Sequence, residues 1–590
     1  MTNLLFEITT YDIPYDLQTK AEEDLTNLLN SALKSLNVEF SPIISFSTNR
    51  RIVLYITNIE EEIKPIAITK KGPAVTASSE ILQKFLAANN ITLADCYKEK
   101  TAKGEFFFIK QTTKGDLLKN KLADIITKDV LHKITFKRSM FWNSTKVKWP
   151  RPITNLLLIL GKEVIDFTFA GVQSSNYLKG HMFLSDKDET LPDASKYFNT
   201  ISNLKVVLPA TTQKLQQLKE LNNEVFNDLN LSREEIIVKA INSFANKNNL
   251  TPNLSNSLIT ELLYLSEYPV VLFGEIPSKY LVLPKELLVN TMVKNQRYIN
   301  FFNKDGSISK HFAIVANIEA IDSGLEIIKG NQRVLDARLE DGLFFYNLDL
   351  KENWANQTTA LKSITFFEGL GTMFDKQERL KKLAANFFPN TDLKKLCNFC
   401  KVDLSSKVVG EFPELQGIIG YYYAINSGFS AADALAIKEQ YMPLSSNGEL
   451  PSSSLGAKLA FLDKIDTLIS FFAIGKVPTS SGDPFALRRA ALGVIRICLH
   501  HNISINLSNY LDNKLLEFFS ERLIVYLNGL GVQKDITNSV LSINNFNIVT
   551  ISNKALALSD FLAKNKDLIA LFKRVFNILS NNTKVEQLAD

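Results

Sequence analysis

The first 200 residues alternate between short apolar runs and longer amphipathic stretches. Alternating polarity is typical of strands, whereas apolar residues three and four positions apart are typical of helices. On these rules we expect strands at 4–8, 43–46, 51–56 and 155–160, a hairpin at 104–111, and helices at 25–33, 79–88 and 115 to about 133. This order predicts mixed α/β domains at the N-terminus.

Helical spacing dominates the rest of the chain. A helical block runs from 205 to about 247, and strand-like pieces lie at 270–273, 312–317 and 343–348. Between about 360 and 510 the pattern predicts only helices, at 368–380, 393–402, 409–425, 431–440, 455–472 and 483–500. The predicted fold class is therefore α+β and multidomain, with regions at 1–200 (α+β), 201–355 (α+β), 356–510 (all helical) and 511–590 (helical).

The helix predicted at 483–500 has the clearest start. Asp483 is a good N-cap, and Pro484 stands where a missing N–H costs nothing. Apolar residues cover most of this helix, and one narrow stripe on it is formed by Arg489, Gly493, Arg496 and His500. The helix is thus expected to be buried nearly all round, with one basic seam.

Two readings of this seam remain open. Gly493 lowers helix propensity, which is explained if another backbone or a phosphate comes close at that point. Arg488 lies among apolar residues and must find a carboxylate or a phosphate. The helix is either a core helix whose arginines pair with acidic neighbours or part of an RNA-contacting surface.

Composition places few limits on function. The 590 residues are 45% hydrophobic and 22% charged, with a net charge of +5, which permits a nucleic-acid partner without requiring one. The N-terminus lacks the features of a signal peptide, and no apolar run approaches the roughly 18 residues of a membrane span. Four cysteines suggest no disulfide framework, and the single CxxC at Cys397 and Cys400 does not predict zinc. We expect a cytoplasmic protein.

Basic residues recur in pairs or beside aromatic residues. Arg50–Arg51 and Lys70–Lys71 stand at loop or strand-edge positions, where they could meet phosphates or keep an edge soluble. Arg138, Trp142 and Arg151 belong to a segment in which aromatic and basic residues are interleaved. Such a segment can bind a single-stranded RNA end, because a ring stacks on a base while a cation contacts the phosphate. A surface of snorkelling side chains over a core has the same composition.

Two further arginines follow Asn-Gln pairs. Arg297 ends Asn295-Gln296-Arg297, and Arg333 ends Asn331-Gln332-Arg333. These side chains offer directional hydrogen bonds to base edges or phosphates, and they would equally serve to stitch two domains together.

Motifs of nucleotide and acyl chemistry are absent from the sequence. The sequence contains no GxxxxGK[ST] loop, no GxGxxG after a strand and no GxSxG elbow. It also lacks the signature motifs of both synthetase classes. We therefore expect no catalytic residue in this chain and interpret it as a binding scaffold.

The run 472–493 resembles the signature of the β subunit of bacterial glycyl-tRNA synthetase, and blocks around 50–75, 137–152, 292–298 and 330–341 are similar to other parts of that family. The resemblance implies a tRNA-binding subunit of an α2β2 aminoacyl-tRNA ligase, in which a separate α subunit uses ATP with Mg and this chain binds no cofactor. The tRNA contacts it suggests are Arg50, Arg51, Lys70, Lys71, Arg138, Trp142, Arg151, Arg297, Arg333, Arg488, Arg489 and Arg496.

The family's counterpart of 356–510 is similar to the HD superfamily, which holds divalent metals through His and Asp. The corresponding acidic residues are Asp403, Glu411, Glu414, Asp463 and Asp466. The chain has only five histidines and no His-Asp dipeptide, so we expect a degenerate domain without a metal.

Residues 511–590 resemble the beginning of the family's helical anticodon-binding module, apparently shortened. Two alternatives for the function of the chain remain. It could be an HD-type metal-dependent phosphohydrolase or a stand-alone protein that binds structured RNA.

Overall fold

The computed structural model describes residues 1–65, 67–89, 91–101, 104–112, 115–479, 482–541, 545–565, 571–572 and 574–575. Ser480 and Ser481 of the resemblance run, and most of the predicted C-terminal helical segment beyond 565, lie outside these residues. The chain divides into two compact units, one of residues 1–278 and 289–336 and one of residues 279–288 and 337–590. The domain boundaries expected near 200, 355 and 510 stay predictions.

A five-stranded antiparallel sheet forms the centre of the first unit. Its order along the sheet is Glu163–Val164, Ile153–Leu160, Thr2–Thr10, Arg51–Ile59 and Ile44–Ser47. Leu4, Phe6 and Ile8 enter one hydrophobic core with helix Tyr15–Ser35, whereas Leu5 enters a second core on the opposite face. The central strand is therefore buried on both faces, and its one charged residue, Glu7, is fully buried.

A small module follows strand Arg51–Ile59 in the chain. It consists of strands Ala67–Ala74, Cys96–Thr101 and Gly104–Thr112 with helix Ser79–Asn89, and Gly104–Thr112 is the central strand. The predicted helix at 79–88 is thereby confirmed. The hairpin expected at 104–111 is wrong, because these residues form one strand that pairs with Cys96–Thr101 on one side and Ala67–Ala74 on the other.

The remainder of the first unit contains helices, short two-stranded pairs and a second sheet. Its principal helices are Lys119–Asp124, continued as a π-helical segment Ile125–Leu131, and Tyr197–Asn203, Thr212–Glu220, Arg233–Asn248 and Asn256–Tyr264. A second antiparallel sheet has the strand order Thr251–Pro252, Ile299–Phe302, Ile308–Ala316 and Val270–Glu275.

The strand expected at 343–348 is wrong. These residues belong to the last turns of helix Leu325–Asp349. The segment Leu343–Leu348 contains no β-branched residue, and its two phenylalanines and a tyrosine fit a helix face as readily as a strand.

Among its described residues, the second unit is helical except for one hairpin. Its main helices are Met373–Phe387, Lys394–Phe399, Lys407–Glu411, Ile418–Asn426, Ala431–Glu439, Ser454–Ala473, Leu487–His500, Asn513–Gly529, Lys534–Leu541 and Ile548–Lys564. None of the helices in the described part of the chain is both long and apolar enough to cross a bilayer.

Two predictions for the helical region need correction. Residues expected to begin a helix at 368 instead form a turn between strands Thr365–Phe367 and Gly371–Thr372, because Gly369 and Gly371 adopt positive φ angles of 82° and 78°. The helix expected over 409–425 is broken near Pro413, which begins a short 3-10 turn.

Candidate functional site

The helix of the signature run begins four residues later than the start expected at 483. It spans Leu487–His500, and Ala486 before it has a left-handed φ of 55°. The Asp483 carboxylate nevertheless accepts hydrogen bonds from the backbone N–H groups of Leu487 and Arg488, both at 2.9 Å. Asp483 thus caps the first turn of the helix, although a three-residue segment that begins with Pro484 separates it from Leu487.

The arginines on this helix hold a neighbouring loop. Arg489 donates to the Leu444 carbonyl at 3.1 Å, and Arg496 donates to the carbonyls of Ser446 at 2.7 Å and Gly448 at 2.9 Å. Arg488 donates to the Thr479 carbonyl. Arg489 and Arg496 of the seam, and Arg488 beside it, are therefore bound to carbonyl oxygens of their own unit. Among the described residues, none of the three forms the predicted pair with a carboxylate.

Gly493 allows the close approach that was expected, but the approaching group is a side chain. A Cβ atom at this position would lie 2.8 Å from Cε and 2.9 Å from Cδ of Lys464. The Lys464 ammonium donates to the Tyr441 carbonyl at 3.0 Å, and burial lowers the pKa of Lys464 to about 8. Neither a second backbone nor a phosphate is required to explain the glycine.

Arg51 lies in a buried ion cluster of the first unit. Its guanidinium is 1% exposed and lies 2.6 Å from Glu267 and 3.3 Å from Glu7. Burial alone would lower the pKa of Arg51, but the Glu267 and Glu7 carboxylates raise it above its ordinary value. Arg51 cannot reach a phosphate without leaving two buried carboxylates unpaired, so this placement does not fit the predicted RNA contact.

The neighbouring basic residues differ from Arg51 in exposure. Arg50 is largely covered, and its Nε lies 3.8 Å from Asp12. Lys70 and Lys71 are exposed on the small module, where Lys70 donates to Asn89 Oδ1 at 3.2 Å. Both lysines remain accessible to a phosphate.

The basic and aromatic segment is rearranged relative to expectation. Trp142 is half-buried and packs against the first hydrophobic core, whereas the adjacent Phe141 is 58% exposed. The Lys148 ammonium lies 5.2 Å from the centre of the Phe141 ring. Phe141 is therefore an accessible ring that the sequence prediction missed. Alternation gives no signal for it, because Met140 and Phe141 of this short strand are both exposed.

The two arginines of this segment also differ. Arg138 donates to both carboxylate oxygens of Asp16, while the exposed Arg151 donates to the Pro150 carbonyl at 2.9 Å. A single nitrogen of Arg138, Nη2, thus holds the Asp16 carboxylate in an exposed ion pair, and Arg151 retains free donors at the surface.

The Asn-Gln-Arg groups connect elements inside the first unit. Arg297 pairs with Glu261, Tyr298 donates to Asn331 Oδ1 at 2.7 Å, and Gln332 donates to the Glu275 carbonyl at 2.8 Å. Arg333 is exposed. Arg297, Asn331 and Gln332 thus join elements within one unit, whereas Arg333 remains available.

The acidic residues compared with an HD-type site are held by cations of the protein. Lys401 lies 2.7 Å from Asp463, Lys376 lies 3.0 Å from Asp466, and Arg379 lies 2.6 Å from Asp466. Burial would raise the pKa of Asp463, but the charges of Lys376 and Lys401 lower it below the ordinary value. The cationic groups of Lys376, Arg379 and Lys401 thus occupy the space beside these carboxylates that a bound metal ion would need.

The other three acidic residues compared with an HD-type site do not lie with Asp463 and Asp466 in a common cluster. Asp403 is buried and accepts from the Gly417 backbone N–H, and burial raises the pKa of Asp403 to about 6. Glu411 and Glu414 are exposed, and Glu411 lies 3.5 Å from Arg338. Among described residues, no group of three or more His, Cys, Asp or Glu could hold a metal ion. The residues present do not fit a divalent metal.

Comparison with known proteins gives a consistent result. The family model described as glycyl-tRNA synthetase beta subunit matches residues 4–542. The glycine--tRNA ligase beta subunit of Rickettsia felis is 34% identical over 607 residues, which cover 100% of this chain and 87% of the relative. The subunit of the same name from Rickettsia prowazekii is 34% identical over 610 residues, with the same coverage. The similarity therefore includes both compact units.

Proposed function

Because this chain belongs to the glycyl-tRNA synthetase beta subunit family, a family of aminoacyl-tRNA ligase subunits, we propose that it positions tRNA(Gly) for glycylation at the active site of a separate alpha subunit. The assembly we propose is α2β2. The observation that carries the proposal is the match to this family along nearly the entire sequence.

The proposed division of labour assigns ATP, with Mg, to the alpha subunit. This chain then contributes geometry: it binds the tRNA and directs the terminal ribose hydroxyl toward the glycyl-adenylate. Holding two reactants in place can supply about 7 to 11 kcal/mol toward a barrier without a catalytic side chain from the holding subunit. No cofactor bound by this chain is needed for that role.

The phosphate contacts are proposed on cations that the structure leaves accessible. Lys70, Lys71, Arg151 and Arg333 are exposed, and none of them forms an ion pair with a carboxylate in the described ranges. Arg489 is also exposed and can turn its unused donors outward from the loop it holds. Arg50, Arg138, Arg297, Arg488 and Arg496 are bound to protein oxygens and are proposed as secondary contacts.

The helical region is proposed to be a degenerate HD-like domain with a structural role. Its support is the set of cations, Lys376, Lys401 and Arg379, that neutralise Asp463 and Asp466. This arrangement disfavours the metal-dependent phosphohydrolase alternative, because a metal would have to displace ammonium groups that are already paired.

The test is reconstitution. Purified chain is mixed with its alpha subunit, tRNA(Gly), glycine and ATP, and glycine attachment is measured with each protein omitted in turn. We expect attachment only when both proteins are present. Attachment by the alpha subunit alone at an unchanged rate, or by this chain alone, would contradict the proposal. Binding of RNA without any effect on attachment would instead favour the stand-alone RNA-binding alternative.

A further inference from the structure

The small module of the first unit has two unlike faces. Helix Ser79–Asn89 covers one face, since a Cβ atom at Gly72 would lie 2.7 Å from the Phe85 ring. Phe107 and Ile109 of the central strand are buried. Because successive side chains of a strand point to opposite faces, Phe106 and Phe108 lie on the other face.

That second face carries a row of aromatic rings. Tyr97 is the register partner of Phe108, and their rings are stacked with centroids 5.9 Å apart and an interplanar angle of 26°. Phe106 lies two residues before Phe108 on the central strand, and the Lys71 ammonium is 3.3 Å from the centre of its ring. All three rings are half-buried, and Lys71 is exposed. We call this surface the aromatic sheet face.

Two charged residues of the strands, one of each sign, lie on the aromatic sheet face. Lys71 is the register partner of Phe108 and shares its face, and among the described residues it forms no ion pair with a carboxylate. The exposed Lys70, Lys98 and Lys100 are the register partners of Ile109, Phe107 and Glu105, so they lie on the helix-covered side. One acidic residue, Glu99, shares the face and is the register partner of Phe106. The surface therefore combines three rings with one ammonium group, that of Lys71, and one carboxylate, that of Glu99.

We propose that the aromatic sheet face binds unpaired nucleotides of the tRNA by stacking their bases on Tyr97, Phe106 and Phe108. This inference rests on the proposed function, because it takes tRNA as the RNA that is bound. Every base presents a ring face, so such stacking tolerates different sequences, whereas the bases of a duplex are already stacked on one another. On binding, the Lys71 ammonium leaves the Phe106 ring and contacts a phosphate.

The experiment uses the full chain and two labelled RNA probes. One is a ten-nucleotide strand without self-complementarity, and the other is a duplex of the same length; binding is followed by fluorescence anisotropy at low and moderate salt. We expect the strand to bind more tightly than the duplex. Phe106→Leu and Phe108→Leu should each weaken strand binding about tenfold and leave duplex binding unchanged.

Matched variants separate stacking from charge. Tyr97→Phe keeps the ring and should bind as the unaltered chain does, whereas Tyr97→Leu should weaken binding. Lys71→Ala should reduce the slope of log affinity against log salt by nearly one, and Lys84→Ala, on the outer side of the module's helix, should not. Glu99→Gln leaves the rings intact and should raise affinity for the strand at low salt by removing a repelling carboxylate.

Three outcomes would overturn the inference. They are equal affinity for strand and duplex, unchanged affinity in natively folded ring variants, and no response to Glu99→Gln at low salt. If glycine attachment persists while strand binding proves independent of the rings, this inference fails and the proposed function stands. If the unaltered chain supports no attachment at all, the proposed function itself fails.

Discussion

Two basic regions of this protein differ in what their cations already bind. On the signature helix Leu487–His500, Arg489 and Arg496 donate to carbonyl oxygens of the 444–448 loop. On the small module, Lys70, Lys71, Lys98 and Lys100 have no carboxylate partner among the described residues. The cations of the signature helix are thus already bound within the protein, although its sequence is the more recognisable of the two. The cations of the small module remain accessible to a ligand.

The same contrast separates Arg51 from Arg333. Arg51 is enclosed by Glu7 and Glu267, whereas Arg333 is exposed on a helix. Committed cations should therefore affect stability, and accessible cations should affect RNA affinity and its dependence on salt.

The largest effect is expected for Arg51→Met. Removing this guanidinium leaves Glu7 and Glu267 buried without a counter-charge, which should lower the free energy of unfolding by about 3 to 5 kcal/mol. Denaturant unfolding measures this loss, and Arg333→Met, the accessible control, should change stability by less than about 0.5 kcal/mol. Similar losses in both variants would remove the distinction between the two classes.

A somewhat smaller effect is expected for Asp403→Asn and depends on pH. The carboxyl titrates near 3.8 in its reference state and near 6 in the folded chain, so this group lowers stability progressively as pH rises from about 4 to about 6. Above pH 6 the variant should be more stable than the unaltered chain by up to about 3 kcal/mol, and at pH 3 the difference should vanish. Thermal unfolding at both pH values tests this, and a difference independent of pH would show that the buried charge is not its cause.

Loss of the loop contacts should have a moderate effect. Arg489→Met combined with Arg496→Met should lower stability by about 1 to 2 kcal/mol, because three hydrogen bonds from charged donors are lost near the surface. Proteolysis within 444–450 should become faster. If tRNA binding keeps its salt slope in Arg496→Met but not in Arg489→Met, the exposed arginine alone meets the RNA.

The smallest changes in free energy are expected at the accessible cations. Arg151→Ala and Arg333→Ala should each reduce the slope of log tRNA affinity against log salt by nearly one, with stability unchanged within about 0.5 kcal/mol. Lys84→Ala, whose lysine already pairs with Glu80 at 2.9 Å, is the matched control. A slope change equal to that of the control would place the RNA elsewhere.

Local patterns predicted most of the regular elements. The strand at 4–8, the helix through Leu25 to Leu33 and the long helix at 455–472 follow directly from apolar spacing, and the structure confirms them. The strand expected at 343–348 failed because a short aromatic run fits either period, and the helix of 409–425 failed because Pro413 and a positive φ of 78° at Gly417 interrupt it.

The candidate site was less predictable for a different physical reason. Whether Arg51 faces water or Glu267 depends on a residue 216 positions away, which local sequence does not encode. Likewise, the lysines that neutralise Asp463 and Asp466 come from two separate segments, around 376 and 401. The run Phe106-Phe107-Phe108 reveals its two accessible rings only once the covered side of the sheet is known.

The contact between Gly493 and Lys464 restricts which substitutions each of the two positions can accept in evolution. Any larger residue at 493 would press on the lysine stem and displace its ammonium from the Tyr441 carbonyl. A substitution there would be tolerated most easily in a chain that first acquired a shorter residue at 464. The glycine at 493 is thus required by the bulk of Lys464. A larger residue at 493 is expected where residue 464 is smaller than lysine.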